Sequence, residues 1–108
     1  MELRQQIKHP SRLVWAFWDI GVAELAAGNY QKSIENLSEG ARIAMECDDP
    51  KAAAWCSIFI GKAKVKHISE LQFEGEREML KAAKVIRESG KDWEKESVIN
   101  ILKSVWLE

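Results

Sequence analysis

Proline occurs twice and glycine six times in 108 residues, tyrosine occurs once and threonine is absent. That shortage of breakers and strand formers, set against abundant Ala, Glu, Lys and Leu, excludes a sheet-rich fold and implies an all-α chain. Neither sign of charge is in excess: the formal net charge of −1 argues against a nucleic-acid partner, which needs a concentrated surplus of Lys and Arg. No apolar run is long enough for a signal peptide or a membrane span, so a cytoplasmic protein with no membrane partner is expected. Cysteine is limited to Cys47 and Cys56, expected as free thiols in a reducing compartment. Without a Cys-x-x-Cys or His-x-x-x-His pair, neither these thiols nor His9 and His67 imply a metal site. No Gly-rich phosphate loop, nucleophile elbow or His-Glu-x-x-His is present, so no cofactor, no catalytic residue and no enzymatic activity are expected.

What the chain does contain is a pattern repeated at a 40-residue offset. His9-Pro10, Trp15, Ile20-Gly21 and Asn29 recur as Asp49-Pro50, Trp55, Ile60-Gly61 and Ser69. Periods of this length mark arrays of stacked helical hairpins. The caps divide the chain accordingly. A first helix from Pro10 or Ser11 ends near Ala27 at Gly28, and Asn29 caps a second over Tyr30 to Cys47. Asp48-Asp49-Pro50 combines a cap with a first-turn proline and opens a third helix to about Lys66. Ser69 and Gln72 read as a capping box for a fourth helix reaching about Glu88 or Ser89. Asp92 then caps a fifth over Trp93 to Leu107. A single domain, residues 1–108, is expected, with a hairpin at 10–49, a divergent hairpin at 50–89 and a closing helix at 92–107.

Gly21 and Gly61 fall inside helices, where glycine costs about 1 kcal/mol relative to alanine. Close approach of a neighbouring helix would offset that cost, with Gly40 and Gly75 as the small residues opposite.

Phe17, Ile20 and Gly21, the turn Gly28-Asn29-Tyr30, and the small-large-small series Ser33, Leu37 and Gly40 together resemble the tetratricopeptide repeat. Ser57, Ile60, Gly61, Gly75, Met79 and Ala82 repeat the pattern more loosely. Glu24 stands where that repeat has an aromatic, and the closing proline is delayed to Pro50, as in long repeats of about 40 residues. The resemblance implies a right-handed stack of antiparallel hairpins, about five helices in all, and a protein-binding scaffold.

Within that scaffold, Leu13, Phe17, Ile20 and Gly21 should face the second helix. Trp15, Trp18, Val22 and Leu25 form a separate stripe, which the resemblance places on the concave surface beside Trp55, Ile58 and Lys62. Two uses are open for this stripe: burial in the core, and an aromatic groove for a peptide or helix of a partner protein. In the second, Trp15, Trp18, Val22, Trp55 and Ile58 are apolar contacts, and Lys62 and Lys66 could grip an acidic partner. Lys62, Lys64, Lys66 and His67 also suit the negative end of a helix. Val98, Ile101, Leu102 and Val105 make the core stripe of the fifth helix, while Ile99 and Trp106 project elsewhere. That apolar excess makes a homodimer through Ile99 and Trp106 the alternative to an adaptor, with an accessory domain of a transcriptional regulator as a further reading.

Overall fold

A computed structural model describes residues 10–106, and all the regular structure among them is helical. The helices are α1 (Pro10–Ala26), α2 (Tyr30–Glu46), α3 (Pro50–His67), α4 (Gln72–Ser89) and α5 (Asp92–Trp106). Each packs on the next, and α3 also touches α1 and α5. Leu3, Ile7, His9 and Leu107 lie outside the described residues.

The first two helix ends close alike. After α1, Gly28 takes a left-handed φ of +89°, its N–H reaching the Leu25 carbonyl and that of Asn29 the Glu24 carbonyl. After α2 the same pair of bonds runs from Asp48 to Met45 and from Asp49 to Ala44, with Asp48 at φ 56°. Both are Schellman closures, which satisfy carbonyls left open by the last turn. Asp49 then caps α3 by accepting from the Ala52 N–H at 3.1 Å, as the sequence predicts.

Three expected caps differ. Asn29 occupies the cap position without a side-chain bond. Ser69 and Gln72 form no capping box; Ser69–Leu71 is a 3-10 turn ahead of α4. Asp92 is the first residue of α5 rather than its cap, and Glu94 reaches back to the Lys91 N–H instead. This is half of a capping box, without its Ser or Thr.

Close helix approach explains the internal glycines. Gly61 and Gly75 face each other: a Cβ on Gly61 would lie 2.6 Å from the Gly75 carbonyl oxygen, and one on Gly75 would lie 2.7 Å from that of Gly61. Gly21 departs from expectation, meeting Leu37 and the Ser33 carbonyl, while Gly40 meets Val14, Phe17 and Cys56. The buried Ser33 hydroxyl donates to the Gly21 carbonyl at 2.6 Å. With Val14 opposite Gly40 and Gly21 opposite Ser33, α1 and α2 run antiparallel. Ile20, expected against α2, is instead 49% exposed.

Among the described residues the core has two clusters, and α3 contributes to both. Val14, Ile43, Ala44, Ala52, Ala53 and Cys56 join α1, α2 and α3. Ala54, Trp55, Ile58, Met79, Ala82, Ala83, Ile86 and Val98 join α3, α4 and α5. The run Ala52-Ala53-Ala54 lets other helices approach α3 from more than one side, and a helix so enclosed needs no polar face. Trp18 packs against both clusters.

Candidate functional site

Tryptophans from alternate helices converge at one end of α3. Trp15 and Trp18 lie on consecutive turns of α1, and their rings meet edge-on with centroids 5.7 Å apart. Trp18 meets Trp55 of α3 in the same manner at 6.4 Å and Phe59 at 5.6 Å. Its indole N–H donates to the Trp55 carbonyl at 3.2 Å. Edge-to-face pairing fixes ring orientation as well as burying area.

From the other side α5 supplies Trp93 and Glu94. Trp55, 6% exposed, donates its indole N–H to Glu94 Oε2 at 2.8 Å, while Lys51 Nζ and the Lys91 N–H both reach Glu94 Oε1 at 3.0 Å. Glu94 is only 3% exposed. Burial, the largest single influence, pushes its carboxyl pKa up; the Lys91 N–H, the Trp55 indole and the Lys51 ammonium together outweigh it and hold the group below the ordinary carboxylate value. An ionised carboxylate thus ties the start of α5 to the start of α3.

Above this junction lies a cleft of about 380 Å³ lined by Trp15, Trp18, Lys51, Trp55, Lys91, Trp93 and Glu94. Trp93 is 62% exposed and Trp15 37%, so part of the aromatic wall is open to solvent. A wider depression of about 690 Å³ involves Phe73, Glu74, Arg77, Glu78, Leu80 and Lys81, all from α4. One helix face cannot enclose a ligand as three converging elements can, so the tryptophan cleft is the better candidate.

Of the residues expected to form a groove, the structure brings Trp15, Trp18 and Trp55 together. Ile58 is fully buried among α3, α4 and α5 and is a core residue rather than an exposed anchor. Val22 is half-buried on α1, outside the cleft lining. Lys62 and Lys66 also lie outside it, roughly 10 and 16 Å beyond Trp55 by helical rise. Lys66 donates to the Ser104 carbonyl near the end of α5 at 3.3 Å. Since Lys51 meets Glu94 and Lys66 meets Ser104, α3 and α5 run parallel.

Lys64, expected within a basic cluster, pairs with Glu74 at 2.8 Å and with Glu78, bridging α3 to α4. Burial pulls its pKa down, but the two carboxylates outweigh this and raise it. His67 stacks on Tyr30 of α2, ring centroids 3.7 Å apart, and burial followed by Lys66 and Lys62 lowers its pKa. Ile99 and Trp106 are both exposed on α5.

The sequence reading missed Lys51, Lys91, Trp93 and Glu94. Glu94 three residues after Lys91 is a local sign of a reach-back cap, but nothing local signals its bond to Trp55. Cys47 and Cys56 are free thiols, the first exposed and the second buried, and burial pushes the Cys56 pKa up to about 12. Among the described residues no group of three His, Cys, Asp or Glu could hold a metal ion, and no helix is long and apolar enough to cross a membrane. The sequence matches no protein-family model, and comparisons with curated proteins and with solved structures find no match.

Proposed function

We propose that this protein is an interaction module that docks a peptide or helix of a partner protein in the tryptophan cleft. The observation carrying this reading is the convergence of Trp15, Trp18, Trp55 and Trp93 from α1, α3 and α5 on one cleft. These are the first helices of successive hairpins and the closing helix, the elements that would line the concave surface of the tetratricopeptide repeat the chain resembles. Tryptophan is a frequent anchor at interfaces because its large apolar face carries a polar N–H.

Trp93→Ala is the direct test, because a side chain so exposed can be removed without opening the core. Phe73→Ala, on the outer side of α4 and 84% exposed, is the control. Proteins captured from an extract of the host cell by the parent should bind Trp93→Ala at least ~10-fold more weakly, as for an interface hot spot, and Phe73→Ala unchanged. Equal retention by both variants would remove the cleft from the reading.

A second reading, a homodimer through the outer side of α5, is favoured by the exposure of Ile99 and Trp106. Light scattering that gives a concentration-independent dimer, converted to monomer by Ile99→Glu, would support it.

A further inference from the structure

We infer that the occupant of the tryptophan cleft is an apolar segment flanked by carboxylates, rather than a cationic one. The inference rests on the docking reading above and adds the partner's chemistry.

Aromatic walls alone would suit either kind of ligand. Tryptophan faces attract cations through the ring quadrupole, so a lysine-rich segment is the obvious competitor. The polar groups of the cleft decide against it. Among the described lining residues the one carboxylate, Glu94, is buried and already accepts from Trp55, Lys51 and the Lys91 N–H, with both oxygens engaged. An incoming cation would have to displace Lys51 to gain that charge. Two ammonium groups, Lys51 and Lys91, line the same cleft, so its described lining residues carry a net positive charge. Lys91 is exposed and has no ion pair or side-chain hydrogen bond among the described residues. It precedes the first turn of α5, whose partial positive charge adds to its own.

Asp92, the nearest opposing charge in sequence, is fully exposed and lies 4.0 Å from Lys95. A partner carboxylate beside Lys91 therefore gains a cation that no described residue shares. A partner cation there meets like-charge repulsion that opposes the aromatic attraction. Apolar side chains between Trp15 and Trp93 would supply the affinity, and the flanking acids the selectivity.

Two blocked peptides free of aromatic residues test this, each with a Leu-Leu pair at its centre. One carries two aspartates on each side and the other two lysines, and the tryptophan emission of the full chain reports binding. At low salt the acidic peptide should bind at least ~10-fold more tightly, with the difference shrinking in 0.5 M salt as screening sets in. Lys91→Glu, a change on an exposed side chain, should reverse the order. Equal binding of both peptides, with a ratio untouched by Lys91→Glu, would overturn the charge inference and leave docking standing. Binding of neither at millimolar concentration, with Trp93-dependent partners retained, would do the same. Shielding from acrylamide of Trp93, read as the difference between the parent and Trp93→Phe, would in a monomer assign the cleft to another segment of the chain itself and in a dimer to a second copy. Either result overturns the inference together with the docking reading.

Discussion

Glu94 concentrates the energetics of the candidate site in one side chain. A buried carboxylate without partners costs several kcal/mol, and here three donors offset that cost. Its folded pKa lies below its unfolded value, so it stabilises the fold fully above ordinary carboxylate pH, and that contribution is lost as pH falls through the folded pKa. Glu94→Gln removes the charge with little change of shape. Lys51 is about one-third exposed and can recover hydration, which keeps the cost below that of breaking a fully buried pair. The variant should lose about 1–3 kcal/mol in urea unfolding at pH 7. Below pH 4.5 the gap between parent and variant should narrow, because the parent's carboxylate is being protonated. A gap constant from pH 7 to pH 3 would mean that the carboxylate charge is not what holds α5 in place.

At the scale of the element, the α2–α3 junction turns on two adjacent aspartates with opposite expected responses. Asp48 holds a left-handed conformation that glycine adopts without steric cost, whereas the Asp49 side chain accepts from the Ala52 N–H in the first turn of α3. Asp48→Gly should therefore stabilise by roughly 0.5 kcal/mol and Asp49→Ala destabilise by about 1 kcal/mol, a separation of several degrees in melting temperature by calorimetry. Matching shifts in the same direction would contradict this division. The junction was legible from Asp48-Asp49-Pro50 because its chemistry is local, and so was the break at Gly28. Ser69 and Gln72 misled because a box also needs the chain to enter the helix at Ser69, and a 3-10 turn intervenes. Helix register was harder still. Gly61 faces Gly75 as expected, but Gly21 meets Leu37 rather than Gly40, since spacing along each helix does not fix how far one slides past the other. In the cleft, Trp15, Trp18 and Trp55 follow from helical periodicity, whereas Glu94 and Lys51 arrive through contacts some 40 residues apart in sequence, and Trp93 lines the cleft beside Glu94.

For the whole molecule, burial is unevenly shared, and the cleft lies across the uneven part. The enclosed side chains of α3 belong to both core clusters, and α4 adds Met79, Ala82, Ala83 and Ile86. In α5 the buried residues are Glu94 and Val98; Ile101, Leu102 and Val105 pack only in part. Local opening follows buried contact, so α5 should open at lower free energy than α3 and α4. By hydrogen exchange under native conditions, amides of Trp55–Ala63 and Met79–Ile86 should be the slowest, and those of Val98–Lys103 at least ~10-fold faster, a difference of about 1.4 kcal/mol in opening. Since Trp93 and Lys91 stand at the start of α5, a ligand docked in the cleft as proposed would bind the closed arrangement and not the open one. Its presence should slow exchange in α5 far more than in α4, by the ratio of ligand concentration to dissociation constant. Exchange of α5 in step with α3, both free and bound, would make the molecule a single cooperative unit and leave the cleft with no mobile wall to clamp a partner.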